Sequence, residues 1–156
     1  MRRSKLGIGL VTTTAALATG ALALAPTAIA VEPTTATLSA DCGTYGSGEA
    51  TLEATQDGTA ATITVTSSAV TAPINVPAGT VDSTLTLTNS GGGTTTFSGS
   101  DNPAMSAGDP VTTGPLSGTV AAGDVLEAES LEFTVLGIIT VTCTATSPQS
   151  PGPFEF

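Results

Sequence analysis

The chain has no histidine and no tryptophan, one tyrosine, and three basic residues against 13 acidic ones in 156 residues. Arg2, Arg3 and Lys5 account for all the cations, so from Glu32 to Glu155 the 13 carboxylates face no Lys, Arg or His. A surface without cations cannot neutralise phosphates, which argues against a nucleic-acid or anionic-membrane partner. Without histidine or lysine, the usual general bases, Schiff-base formers and nitrogen metal ligands are missing, and no cofactor is expected. These absences define excluded chemistry and leave the specific activity open.

The three cations form a positive n-region ahead of an uncharged apolar and small-residue run, Leu6 to Leu24. The segment from Ala25 to Ala30 follows, with Ala28 and Ala30 as a small-residue cleavage signature. Residues 1–30 are therefore expected to be a signal peptide, leaving 126 residues from Val31. A retained membrane anchor is the alternative, since the run approaches the ~20 residues that span a bilayer. Cys42 follows Asp41, which does not fit a lipoprotein signal, and no wall-sorting tail is visible. The expected location is outside the cell, with envelope association only through non-covalent contacts.

Two cysteines remain, Cys42 and Cys143, and in an oxidising compartment they are expected to pair. A bridge closing a loop of about 100 residues removes ~4.7 kcal/mol of unfolded-chain entropy on the loop model. No histidine or lysine is present to activate either thiol.

Thr and Val alternate with other residues throughout, the period-2 signal of half-buried strands. Ala36, Leu38, Ala40 and Cys42 share one face, as do Ala50, Leu52 and Ala54, then Ala61, Ile63 and Val65, then Val81, Ser83, Leu85 and Leu87. Asp57-Gly58 is expected to supply both positive-φ positions of a hairpin turn. Further strands are predicted near 95–98, 113–120, 125–135 and 138–145, with a long loop over 99–110. This pattern predicts an all-β fold: an antiparallel immunoglobulin-like sandwich of seven to eight strands, or alternatively an up-and-down barrel. One domain is assigned to 31–146, followed by a Pro-rich tail, 147–156, expected to be disordered or polyproline-like.

Carboxylates are the abundant reactive groups. Glu127, Glu129 and Glu132 are the densest set, and on a regular strand Glu127 and Glu129 would share a face at ~6.5 to 7 Å, the spacing of an inverting glycosidase pair. The solvated face of an edge or outer strand is the preferred reading of them. Asp101, Asn102 and Asp109 fall in one Gly/Pro loop and are candidate calcium ligands, although no established calcium-loop spacing surrounds them. Intramolecular isopeptide bonds need a lysine that the exported chain lacks. The uncharged run Phe133 to Val141 has the pattern of a self-assembling strand or of a central core strand. Phe154 and Phe156 could dock on a partner or on a sheet edge.

The n-region Arg-Arg-x-Lys, the segment Cys-Gly-Thr-Tyr-Gly at 42–46, and the run Val141-Thr142-Cys143-Thr144-Ala145 before a Pro-rich tail resemble small secreted proteins of actinobacteria. That resemblance implies a source and a secreted β-fold, and no activity. The expected role is a non-catalytic structural or binding protein with an extracellular or envelope partner. The alternatives are a carboxylate-dependent glycoside hydrolase, and a secreted inhibitor or small apolar-ligand binder.

Overall fold

The alternating pattern becomes nine strands in the computed structural model, which describes residues 30–156. They are β1 (Thr35–Asp41), β2 (Ser47–Asp57), β3 (Ala60–Thr71), β4 (Val81–Asn89), β5 (Thr94–Gly99), β6 (Pro110–Thr119), β7 (Val125–Val135), β8 (Ile139–Ala145) and β9 (Phe154–Glu155). In β1, β2 and β4 each apolar position named from the sequence is buried and its neighbours turn outward. At the β2–β3 hairpin Asp57 pairs with Ala60, and Gly58 alone takes a positive φ, so the turn lies one residue later than expected.

All pairings between these strands are antiparallel, and the sequence of neighbours is β1-β2-β3-β6-β5-β4-β7-β8 and back to β1. The ring of eight closes. The immunoglobulin-like sandwich expected above therefore gives way to a barrel. Its order is also not up-and-down, because β3 lies beside β6 and β4 beside β7, a Greek-key arrangement. Closure depends on two narrow seams: a single pair, Ser98 with Ser117, joins β5 to β6, and two pairs join β1 to β8. An open sandwich would leave these edges unpaired.

Beside the first seam β6 packs closely on β5 at Gly118, where a Cβ would lie 2.7 Å from the Phe97 ring. On its other edge β6 breaks register with β3 at Gly114, whose φ is 110° and where a Cβ would lie 2.8 Å from the Ile63 carbonyl oxygen. At the second seam Ala40 pairs with Ala145 and Asp41 with Thr144, and the Cys42–Cys143 disulfide forms the next rung, with its Cα atoms 4.0 Å apart. The bridge thus adds a covalent rung to a short ladder.

β8 is too short to cover β1 along its whole length. Residues 147–156, expected to be a free tail, take over. Thr37 and Ser150 exchange two backbone hydrogen bonds, Glu32 and Glu155 exchange another two, and β9 pairs with β7. Phe154 and Phe156 are buried, with the Phe156 ring 6.3 Å from Phe97 and 6.2 Å from Phe154. These rings and the buried Val31 fill one end of the barrel. The two phenylalanines dock on their own chain, and the Pro-rich segment belongs to the fold.

The barrel faces are apolar inward and polar outward, the reverse of a lipid-facing barrel wall. Among the described residues no helix is long and apolar enough to cross a membrane.

Candidate functional site

Glu127 and Glu129 both turn outward on either side of the buried Ala128, and the strand breaks register at Glu129, before Glu132. Opposite β4, Thr86 pairs with Ser130 and Leu87 with Ala128, so Glu129 is an extra residue, a β-bulge. The inward set consequently shifts from Leu126 and Ala128 to Leu131 and Phe133. The Ala128 amide donates to the Gln149 side-chain oxygen. A Glu127 carboxylate oxygen accepts from the Gln149 amide at 3.2 Å. Glu127 is thus tied to the C-terminal segment, whereas Glu129 points to solvent.

The calcium candidates are also engaged within the loop. Asn102 is buried: its Oδ1 accepts from the amides of Thr80 at 2.8 Å and Val81 at 3.0 Å, and its Nδ2 donates to the carbonyls of Pro77 at 3.0 Å and Pro103 at 2.7 Å. The Asp109 carboxylate accepts from the Ser106 amide at 2.7 Å, which caps a turn. The Asp101 backbone carbonyl accepts from the Gly114 amide. Among the described residues, no three His, Cys, Asp or Glu side chains come together as metal ligands. Of the cleavage pair, Ala28 lies outside the described residues, and Ala30 is exposed next to the buried Val31.

The barrel interior is nearly filled. The cavity lined by Leu52, Val65, Leu85, Leu131 and Cys143 measures about 40 Å³. Pockets for small organic ligands run to roughly 300 Å³ and more.

The two ends of the barrel differ. The far end holds Phe97, Phe154 and Phe156, all buried, whereas the opposite end, the mouth, carries the exposed large apolar side chains among the described residues. Ile74 in the β3–β4 loop and Tyr45 in the 3-10 turn after β1 are each 47% exposed; at the β7–β8 turn Leu136 is 43% and Ile138 83% exposed. Tyr45 and Ile74 border an apolar groove of about 140 Å³ whose floor includes Val81, Met105, Phe133 and Val141. The groove is framed by cross-tied loops, with Val76 and Met105 exchanging backbone hydrogen bonds at 2.8 and 2.9 Å.

The uncharged run Phe133 to Val141 is the end of β7 and the start of β8, with Phe133 and Val141 in the core, and residues 136–138 between them form a hairpin tip. Leu136 (φ 52°) and Gly137 (φ 68°) occupy the two central turn positions, and the Ile138 amide donates to the Val135 carbonyl at 3.1 Å. Such a turn favours Asn or Gly at its first central position, so a leucine held there is strained and lifts its apolar side chain outward. Periodicity could not reveal this, because a strand and a hairpin tip of this composition look alike in sequence.

Beside the mouth on the outer wall, Asp82, Thr84, Ser98, Ser100 and Glu132 line an open groove of about 370 Å³. Asp82 pairs with Thr134 and Thr84 with Glu132, so the two acidic residues are diagonal neighbours across β4 and β7. Val81 and Val135, each adjacent in sequence to this pairing, line the apolar groove. Val81 is buried and Asp82 exposed, so the two grooves lie on opposite faces of β4.

Comparison with protein-family models, with curated proteins and with solved structures finds no match to this chain.

Proposed function

We propose that the chain is a secreted, non-catalytic binding protein whose recognition surface is the mouth of the barrel. The observation that carries this reading is the gathering of Tyr45, Ile74, Leu136 and Ile138 at one end of a barrel whose walls are polar and whose opposite end is sealed by its own phenylalanines. Large exposed apolar side chains grouped on a soluble surface mark interaction sites. The disulfide fits an oxidising location outside the cell. An interior cavity of about 40 Å³ favours recognition on the surface over a ligand enclosed in the barrel. The Glu127 carboxylate is engaged by the Gln149 backbone amide, which weakens the hydrolase alternative.

The test compares the exported protein with a Leu136→Ser/Ile138→Ser variant for retention on envelope fractions and on proteins of the culture medium, alongside a glycan-hydrolysis panel. Retention is expected to fall in the variant, and the wild type is expected to turn over no glycan. Glycan turnover abolished by Glu127→Gln/Glu129→Gln would overturn the non-catalytic reading.

A further inference from the structure

We propose that the mouth docks a basic, amphipathic polypeptide, its apolar side chains seated against Tyr45, Ile74, Leu136 and Ile138 and its cationic ones against Asp82 and Glu132. The proposal rests on the binding reading above and names the partner's chemistry.

Charge complementarity selects this occupant. From Val31 to Phe156 the chain carries 13 carboxylates and no basic side chain, so none of its carboxylates can find a side-chain ion-pair partner within that span. The field outside the protein is therefore negative, which attracts cations and repels nucleic acid and anionic lipid. A second copy of the chain would bring the same charge to the mouth, and like charges brought together at an interface are unfavourable. Asp41, Asp82 and Asp109 lie close in sequence to the mouth residues Tyr45, Val81 and Val111.

Geometry specifies the partner further. The acidic groove lies on the outer face of β4 and β7, and Asp82 pairs there with Thr134, two residues before the exposed Leu136 turn. A chain segment with an apolar anchor on the turn and a nearby Lys or Arg would reach both the turn and the two carboxylates. The hydroxyls of Thr84, Ser98 and Ser100 offer further acceptors around the two carboxylates.

Tyr45, the sole tyrosine in a chain without tryptophan, is a built-in fluorescent reporter at the mouth. The probes are a synthetic Lys/Leu amphipathic peptide free of aromatics, its Glu/Leu counterpart, and vesicles of phosphatidylcholine or phosphatidylglycerol. A dilution series of the protein alone follows self-association. The Lys/Leu peptide is expected to change Tyr45 emission, with affinity falling as salt rises. Leu136→Ser/Ile138→Ser and, separately, Asp82→Asn/Glu132→Gln are each expected to weaken binding about tenfold. Glu53→Gln/Asp57→Asn, an equal change in charge on β2, is expected to weaken it by less than about threefold. Circular dichroism melting of each variant checks that it remains folded.

Equal weakening by the two charge-neutralising pairs would reduce the effect to diffuse attraction and overturn the proposal. Equal binding of the Glu/Leu peptide, or mouth-dependent binding to vesicles or to a second copy, would overturn it while leaving the mouth as a binding surface. If no probe responds to the Leu136→Ser/Ile138→Ser change, the binding reading falls with it.

Discussion

Asn102 shows how a polar residue in an irregular loop can organise a barrel end. Its amide serves two backbone donors at the start of β4 and two carbonyls in the flanking loops, using both ends of the group in a buried site. Asn102→Ala would leave buried backbone groups without partners, and is expected to cost about 3 kcal/mol of stability in a denaturant titration. A loss below about 1 kcal/mol would mean that solvent reaches these groups. Leu136 should behave in the opposite way. Glycine adopts its positive φ without a steric penalty, so Leu136→Gly is expected to stabilise the fold by about 0.5 kcal/mol while weakening recognition at the mouth. Clear destabilisation would instead assign Leu136 to packing. The sequence marked Asn102 as a possible ligand because Asn, Asp, Gly and Pro crowd that loop; the same composition serves a loop that needs internal hydrogen bonds.

The strands were legible wherever one face is buried and the other wet. Thr35–Asp41, Ser47–Asp57 and Val81–Asn89 alternate cleanly, and the inward residues read from them are the buried ones. Three features were not legible, each for a physical reason. Pairing of β4 with β7 joins segments distant in sequence, and period-2 alternation carries no information about which edges meet. The bulge at Glu129 is one inserted residue in a run of apolar and acidic residues whose composition does not mark where the alternation breaks. The C-terminal segment has Pro and Gly around only two phenylalanines, too few for a periodic signal, yet it completes the seam that β8 is too short to close. This last element gives a test. Phe154 is fully buried in the sealed end. Phe154→Ala is expected to lower stability by about 3–5 kcal/mol, the usual cost of a buried phenylalanine, as read from thermal or urea unfolding. An unchanged transition midpoint would return residues 147–156 to the status of a dispensable tail.

At the scale of the whole molecule, charge and shape point the same way. A chain whose carboxylates have no basic partners from Val31 onward must hold together through strand pairing, an aliphatic core and one disulfide, and its field remains available to a cationic partner. Export with cleavage after Ala30 predicts that protein recovered from the medium begins at Val31 and resists trypsin even when reduced and denatured. Cleavage at a basic residue would show that the leader is retained. The binding claim itself is tested most directly by amide-resolved NMR of the ¹⁵N-labelled protein during titration with the Lys/Leu peptide. Shifts are expected to concentrate at residues 43–46, 72–76, 81–84 and 132–139, leaving residues 121–124 and 154–156 at the sealed end unmoved. Shifts spread evenly over the acidic walls, or centred on the sealed end, would contradict recognition at the mouth.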